Sequence, residues 1–367
     1  MNFSRFFAAS APIPEPFARI RPAVITELLI AALLIGVPPI PKAHSQSPHV
    51  YPLSGEVAGT HDPSLIKEDK TWYVFATGKA PGGGQFAIRC SDDLEHWRAC
   101  GQVFEAVPAW IRERSPETRD LWAPDISYVN HEYRLYYAFS RFGKNTSGIA
   151  LAINKTLDRS SPDYKWVDKG LVLESLSTDN FNAIDPNFIL DQKGREWLSF
   201  GSFWDGIKMR RLDSSGMLSR SDVKLYSLAR REKPADVAEP SPGVPANWEA
   251  IEAPFIVRHG GYFYLFTSWD LCCRGLKSTY RTMVGRSKSV IGPYVDRAGK
   301  PLTQGGGTEV LVANSHWLGP GGESVLMNLK GPDLIVFHAY DSKTGKPSMQ
   351  LSTIDWSGGW PHAGLEQ

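Results

Sequence analysis

The chain has 367 residues, 42% of them hydrophobic, which is enough for a sizeable core in one large domain or two ordinary ones. Its 40 basic and 39 acidic residues leave a formal net charge of +1, which gives no electrostatic reason to expect a nucleic acid or an anionic membrane surface as partner. Aromatic residues make up 11% of the chain, a content that suits both a strand-rich core and stacking on sugar rings.

Residues 1–45 differ in composition from the rest of the chain. Ala23 to Val37 is an apolar run that follows Arg19 and Arg21 and precedes three prolines. This pattern predicts a secretory signal peptide, with a retained N-terminal anchor as the alternative, and hence a secreted or periplasmic protein. No second long apolar run follows, so we expect no stable membrane span in the mature protein.

Residues 46–367 are organised around five similar short stretches, each followed by a run of aromatic and β-branched residues. The stretches are His61-Asp62-Pro63-Ser64, Ala123-Pro124-Asp125, Ile184-Asp185-Pro186-Asn187, Glu252-Ala253-Pro254 and Gly319-Pro320-Gly321-Gly322-Glu323. Neighbouring stretches are roughly 60 to 70 residues apart, a spacing that indicates a structural repeat. Short strand-like runs within each repeat predict an all-β protein, a five-bladed β-propeller of four-stranded units.

Two segments interrupt the repeat, Pro108 to Asp120 and Arg230 to Asn247. Both are rich in charged residues, and the second is also rich in proline and alanine. We predict that they are surface loops, and we find no sequence pattern typical of an amphipathic helix after residue 45.

Four of the stretches carry a carboxylate beside a proline or one residue from it: Asp62, Asp125, Asp185 and Glu252. A single Asp beside Pro is most often a turn residue. We interpret the four as occupying the same phase of the repeat, which predicts that they share one cavity on the propeller axis. Clustered carboxylates resist ionising together, and this yields the protonated acid and ionised base that cleavage of a glycosidic bond needs.

Several ordered motifs resemble those of glycoside hydrolase family 43. They are His61-Asp62-Pro63-Ser64, Leu121-Trp122-Ala123-Pro124-Asp125, Ala183-Ile184-Asp185-Pro186-Asn187 and Ile251-Glu252-Ala253-Pro254-Phe255. Three further motifs resemble the endo-1,5-α-L-arabinanase branch: Ser140-Arg141-Phe142-Gly143, Ser147-Gly148-Ile149-Ala150 and Asp270-Leu271-Cys272-Cys273-Arg274-Gly275. The resemblance implies a five-bladed propeller that cleaves α-1,5-L-arabinofuranosidic bonds inside arabinan by an inverting acid/base mechanism.

The resemblance also implies roles for individual residues. Asp62 matches the general base, Glu252 the general acid, and Asp185 the carboxylate that tunes the acid's pKa and positions the sugar. The other positions implied to contact substrate are Gly143, Asn182, Ala183, Ile184, Ser202, Phe203 and Trp204. We further predict that Trp122 and Trp204 stack against arabinose units. For Phe142, stacking and core packing both remain open.

The last motif departs from the family pattern. Many arabinanases of this branch have a histidine that helps to hold a metal ion on the axis, where this chain has Gly322. An axial calcium ion therefore remains open, with Glu323, His316 or His338 as candidate ligands, and oxygen ligands on the axis would favour calcium over zinc.

The chain has four cysteines and no Cys-x-x-Cys motif, so we expect no structural zinc site. Cys90 and Cys100 flank a predicted strand–turn–strand and could form a disulfide. Cys272 and Cys273 are adjacent and could form a vicinal disulfide or remain reduced.

Three functions remain open from the sequence. The first is an endo-acting arabinanase on arabinan or arabino-oligosaccharides, working as a monomer. The second is an exo-acting relative that releases single arabinose or xylose units, if either long loop closes one end of the groove. The third is a carbohydrate-binding propeller without catalysis.

Overall fold

The computed structural model of the protein describes residues 47–238 and 245–366, and the predicted signal peptide or anchor lies outside them. Within these ranges the chain forms five sheets, which are antiparallel except for the short parallel pairing of Ser54–Gly55 with His96–Trp97 in the first, and this confirms the predicted all-β, five-bladed β-propeller. No helix in the described ranges is long and apolar enough to cross a membrane.

The strands follow one another along the chain, blade by blade. Blade 1 contains β1 (Ser54–Gly55), β2 (Ser64–Glu68), β3 (Thr71–Phe75), β4 (Gln85–Ser91) and β5 (His96–Phe104). Blade 2 contains β6 (Trp122–Val129), β7 (Glu132–Phe139), β8 (Ser147–Asn154) and β9 (Val167–Ser175). Blade 3 contains β10 (Asn187–Leu190), β11 (Glu196–Phe200), β12 (Ile207–Arg211) and β13 (Tyr226–Ala229).

The last two blades follow the same order. Blade 4 contains β14 (Ile251–His259), β15 (Tyr262–Trp269), β16 (Arg281–Ser287) and β17 (Thr308–Leu311). Blade 5 contains β18 (Trp317–Leu326), β19 (Leu334–Asp341) and β20 (Pro347–Thr353). Single 3₁₀ turns span Asn247–Glu249, Gly275–Lys277, Leu302–Gln304 and Ser357–Gly359.

A short helix, α1 (Ala109–Arg114), lies within the segment that was predicted to be a loop, so the loop prediction is wrong for these six residues. It follows Pro108, whose φ of −51° is already close to the helical value. Its Ile111 is fully buried against blades 1 and 2. Six residues are too few for a helical periodicity to be read from sequence, and burial of Ile111 is what stabilises this turn.

The aromatic and β-branched runs form the strand next to the innermost one in each blade, and both faces of this strand are buried between blades. Successive side chains of a strand point to opposite faces. In β3, Trp72 and Val74 pack in a cluster shared with blade 5, whereas Tyr73 and Phe75 pack in a cluster shared with blade 2. Three more apolar clusters fill the remaining interfaces. Such strands read as continuous apolar runs because neither face meets water.

Hydrogen bonds between innermost strands join the blades around the axis. At four of the five interfaces, a polar side chain of one innermost strand accepts from a backbone N–H of the next innermost strand. The bonds run to Ser64 Oγ from Ile126 (3.1 Å), to Asp125 Oδ2 from Phe188 (2.7 Å), to Asn187 Oδ1 from Ile256 (2.9 Å) and to Ser324 Oγ from Leu65 (3.1 Å). At the fifth interface, Ser268 Oγ of β15 accepts from the Gly322 N–H at 2.8 Å. Asp125 thus has a structural role at a blade interface.

The N-terminal end of the described chain completes blade 5. Val50 pairs with Ser352, and Ala58 pairs with Ser348, both antiparallel. The first residues of the propeller therefore cover the outer edge of β20 and close the ring.

The carboxylate motifs stand at the start of each blade's innermost strand. In an antiparallel meander, the connections from second to third strand, and from last strand to next blade, return to that same end. Both long interruptions, Pro108 to Asp120 and Arg230 to Asn247, are connections of the latter kind. The described parts of these connections, residues 108–120, 230–238 and 245–247, therefore lie on the face of the propeller that carries the carboxylates.

Candidate active site

Each of the five motifs places a residue in the left-handed backbone region near the axis. These residues are Asp62 (φ 48°), Ala123 (φ 41°), Asp185 (φ 55°), Ala253 (φ 51°) and Gly322 (φ 59°), and the fifth motif has a second such residue, Gly319 (φ 55°). In blades 2, 4 and 5 the strand pairing shifts register there, as at a β-bulge. The repeat thus bends every innermost strand at the same point.

Alignment of the blades on this residue corrects the prediction that the four acids share one phase. Asp62 and Asp185 occupy the bent position itself, Glu252 precedes it by one residue, and Asp125 follows it by two. The bend redirects neighbouring side chains, so acids at different positions of the repeat still converge. A regular strand would have sent alternate residues to opposite faces.

An axial cavity of about 30 Å³ lies where the motifs meet, with room for about two water molecules. Asp62, Asp125, Asp185 and Glu323 line it, as do Ala253 and Pro254, which follow Glu252. The charges of Glu252 and Asp62 raise the pKa of Asp185, and the charge of Asp62 raises the pKa of Glu252. The structure therefore brings the three predicted catalytic acids together at one site.

Asp62 is held from two directions. Its Oδ2 accepts a hydrogen bond from Thr77 Oγ1 at 2.6 Å, and its backbone N–H donates to His338 Nδ1 at 3.3 Å. Burial raises the pKa of Asp62, while the neighbouring His61 and the Thr77 bond oppose that rise. Above its raised pKa, Asp62 is an oriented carboxylate that can accept a proton.

Both carboxylate oxygens of Glu252 accept hydrogen bonds. Ser202 Oγ donates to Oε2 at 2.6 Å, and the hydroxyl of the buried Tyr280 donates to Oε1. Burial raises the pKa of Glu252; the two donors lower it, and the charge of Asp62 raises it further. Tyr280 itself has a pKa well above 10, chiefly because it is buried, so it remains a donor. Sequence reasoning missed Tyr280, since no motif marks it and it enters the site from the connection that precedes β16.

Asp185 accepts a hydrogen bond to Oδ2 from the backbone N–H of Ala253 at 3.0 Å. Burial holds the pKa of Asp185 well above its usual value, and the charges of Glu252 and Asp62 add to the rise. Asp185 and Glu252 therefore resist being ionised together, which favours a state in which one of the two carboxyl groups is protonated.

Several predicted substrate-contacting residues lie in segments fixed to the site. Phe203 N–H donates to Ile251 O at 2.9 Å, which ties the Ser202 segment to the start of β14. Asn182 is buried, and its Oδ1 accepts from Ser147 Oγ at 2.6 Å. The side chains of Ala183 and Ile184 are buried as well, with Ala183 packed in the cluster between blades 2 and 3, so Ala183 can offer only its backbone to a ligand.

The predicted stacking residues differ in exposure. Phe142 is 78% exposed, which excludes core packing for it, and it precedes Gly143 (φ 74°) in the turn that links β7 to β8. Trp122 and Trp204 are half-buried. All three aromatic residues stand at the end of the propeller that carries the acids.

Gly322, at the bent position of blade 5, has no space for a side chain. A Cβ atom added there would lie 2.6 Å from Asp62 Oδ1 and 2.7 Å from His338 Cε1. The fully buried ring of His338 fills this space, and burial lowers the pKa of His338 well below 6.5, so the ring is neutral. His316 is exposed in the segment before β18.

The hydrogen bonding of the Glu323 carboxylate is the structural feature that bears on an axial ion. Its Oε2 accepts from Ser268 Oγ (2.8 Å) and Thr282 Oγ1 (3.2 Å), whereas its buried Oε1 has no partner. Burial raises the pKa of Glu323 to about 7. An unpartnered carboxylate oxygen beside a cavity large enough for water fits an ion that keeps several water ligands. Within 47–238 and 245–366 there is no group of three or more His, Cys, Asp or Glu that could hold a metal, so calcium stays a prediction.

Both cysteine pairs form disulfides. Cys90 and Cys100 join β4 to β5 across a Cα–Cα distance of 5.9 Å. Cys272 and Cys273 form a vicinal disulfide in the connection between β15 and β16, at the same end of the propeller as the acids.

This combination of fold and site has close relatives. The chain is 42% identical over 305 residues to an extracellular exo-α-(1→5)-L-arabinofuranosidase of Cellvibrio japonicus, covering 82% of this chain and 85% of that protein. It is 40% identical over 303 residues to an extracellular endo-α-(1→5)-L-arabinanase of Bacillus subtilis, covering 82% and 86%. The solved structure of a Cellvibrio cellulosa α-L-arabinanase complexed with arabinohexaose superposes with a TM-score of 0.78 at 41% identity, covering 84% and 96%.

The family model for glycosyl hydrolases family 43 matches residues 57–361, which include all five motifs and all of the predicted catalytic acids. The chain therefore belongs to glycosyl hydrolases family 43.

Proposed function

We propose that this glycosidase hydrolyses α-1,5-L-arabinofuranosidic bonds inside arabinan, with inversion at the anomeric carbon. The observation that carries the proposal is that Asp62 and Asp185 line one axial cavity, while Glu252 lies near enough for its charge to raise the pKa of Asp185. Burial raises the pKa of all three carboxyl groups. The endo-arabinanase named above, 40% identical to this chain, supports the choice of substrate and of internal cleavage.

In the proposed reaction, Asp62 is the general base and Glu252 the general acid. Ionised Asp62 takes a proton from a water molecule as the water oxygen bonds to the anomeric carbon. The bond from that carbon to the leaving oxygen breaks, and Glu252 gives its proton to that oxygen. The products are a sugar with inverted configuration, a shortened chain, a protonated Asp62 and an ionised Glu252.

The remaining site groups prepare these two acids for their roles. Thr77 and the Asp62 N–H bond to His338 orient the base. Ser202 and Tyr280 orient the acid and stabilise the negative charge that Glu252 acquires. Asp185, held by the Ala253 N–H, is placed to position the sugar and to disfavour early loss of the Glu252 proton.

Digestion of linear, debranched arabinan tests the proposal, with products separated by size over time. A ladder of oligosaccharides is expected from internal cleavage, and proton NMR at early times should show the anomer opposite to that of the substrate. Retention of configuration would exclude the assigned roles of Asp62 and Glu252.

Exo-acting cleavage is the second candidate, and one observation favours it: the 42% identical relative is named an exo-acting arabinofuranosidase. Release of one small product from the first time point onwards, with no ladder, would establish it. Binding of arabinan without any turnover would instead support a carbohydrate-binding propeller.

The extracellular names of both relatives support export of this protein, with arabinan outside the cytoplasm as its substrate. A monomer in solution remains our prediction. Light scattering of the purified protein without residues 1–45 should give a single species with the mass of one chain.

A further inference from the structure

The vicinal disulfide is exposed at the end of the propeller that carries the acids. Cys273 is exposed and Cys272 is half-buried, in a connection whose next residues, Arg274 and Leu276, are exposed too. Cys273 adopts a left-handed backbone conformation with φ of 63°. The disulfide thus presents sulfur to solvent at a place where the backbone is unusual for a non-glycine residue.

Chain stabilisation does not account for this disulfide. A cross-link stabilises mainly by restricting the unfolded chain, and the effect grows with the length of the loop that it closes. The Cys90–Cys100 bridge spans a separation of 10 residues, whereas Cys272–Cys273 spans a separation of 1. The vicinal bridge therefore restricts little of the unfolded chain.

The disulfide contacts the surroundings of the general base in two ways. Cys273 Sγ lies 3.9 Å from Nδ1 of His61, the residue that precedes Asp62. The Cys273 N–H donates to the Tyr340 hydroxyl at 2.8 Å, and that hydroxyl lies 3.4 Å from His338 Nε2. Since His338 also bonds the N–H of Asp62, the exposed sulfur stands at a fixed position beside the base.

We propose that the Cys272–Cys273 disulfide, together with the His61 ring, is a binding surface for an arabinofuranose ring adjacent to the one being cleaved. The inference rests on the proposed function. A disulfide is uncharged and polarisable, and it cannot donate hydrogen bonds, so it suits the C–H face of a sugar rather than its hydroxyl edge. The disulfide and the backbone between Cys272 and Cys273 close a small ring that has few conformations, so little conformational entropy is lost when a sugar packs on it.

The test compares the wild-type enzyme with the double variant Cys272→Ser, Cys273→Ser, and uses Cys90→Ser, Cys100→Ser as the matched control. With linear arabinan as substrate, the first variant should show a KM raised about tenfold, of the order that one apolar sugar contact supplies, with kcat within about twofold. The control should keep the wild-type KM. Thermal unfolding of each variant checks that it is folded.

Mild reduction of the control variant provides a second measurement without substitution at the site. Since only the vicinal disulfide remains in that variant, dithiothreitol should raise its KM and reoxidation should restore it, while the vicinal double variant should not respond. An unchanged KM in both experiments would overturn the proposal. A loss of kcat with an unchanged KM would also overturn it, because that result would mean that the disulfide positions Asp62 rather than binds a sugar. Failure of the wild-type enzyme to cleave arabinan would instead overturn the proposed function.

Discussion

Replacement of Tyr280 by Phe tests how the pKa of Glu252, the proposed general acid, is tuned. The substitution removes only the hydroxyl that donates to Glu252 Oε1 and leaves Ser202 as the remaining side-chain donor. The bond is stronger when Glu252 is ionised, that is, after it has protonated the leaving oxygen, so it acts mainly in the transition state. A hydrogen bond to a charged group is worth about 1.5–3 kcal/mol, which corresponds to a loss of roughly 10- to 150-fold in kcat.

The pH dependence of the variant shows whether the pKa of Glu252 rises or falls when the Tyr280 hydroxyl is removed. Donation from Tyr280 lowers the pKa of Glu252, so its removal should raise that pKa further. Since the acid works only while protonated, the alkaline limb of kcat/KM should move to higher pH, whereas the acidic limb, set by Asp62, should stay. The other charged or titratable groups that act on Glu252 are Asp62, Asp185 and Tyr340, and none of them is changed.

The assay is the initial rate on linear arabinan from pH 4 to 10, with an aryl α-L-arabinofuranoside as a second substrate if the enzyme accepts it. The aryl leaving group needs less protonation, so its rate should fall less. Tyr294→Phe is the matched control, because Tyr294 is equally buried but donates to the backbone of Val290. An alkaline limb that stays in place, or a kcat like that of the control, would refute the assignment.

Four further outcomes follow from the same site. Glu252→Ala should lose most hydrolysis of arabinan while calorimetry still detects oligosaccharide binding; hydrolysis at the native rate would reject it as the acid. The wild-type pH–rate profile should be bell-shaped, because activity falls as pH drops through the raised pKa of Asp62 and falls again as pH rises through the raised pKa of Glu252; a single limb would contradict this. Gly322→Ala should lower the melting temperature and the activity more than Gly299→Ala. Both glycines have positive φ, but a Cβ at position 322 would press on Asp62, whereas a Cβ at position 299 would face open space. Equal effects of the two substitutions would argue against the close contact between Gly322 and Asp62. If calcium binds beside Glu323, a chelator should lower the melting temperature of the wild-type protein but not that of Glu323→Gln. An unchanged melting temperature in both proteins would contradict a calcium site beside Glu323.

Much of the architecture could be predicted from the sequence because it repeats. Runs such as Trp72-Tyr73-Val74-Phe75 recur once per blade, and their continuous apolar character matches strands buried on both faces. The acids were found because prolines mark the bend in each innermost strand. Their alignment was misjudged because Asp62 occupies the bent position of its strand, whereas Glu252 precedes that position and Asp125 follows it, which spacing along the chain does not encode.

Other features depend on contacts between distant segments. Tyr280 reaches Glu252 from another strand connection, and a buried tyrosine hydroxyl gives no sequence signal of the partner that it will find. Helix α1 is only one to two turns long and depends on the burial of Ile111. The pairing of Val50 with Ser352 joins the two ends of the propeller, and no local pattern in either segment indicates the other.

The closure of the ring has a consequence for when the surroundings of the base form. Asp62 belongs to the first blade, yet its backbone is held by His338 of the last blade, and Ser324 of that blade bonds Leu65 near the start. A nascent chain that still lacks its C-terminal sheet has Thr77 to hold the Asp62 carboxylate, but it lacks the His338 ring that holds the Asp62 backbone. The surroundings of Asp62 are therefore complete only when the last blade has joined the first.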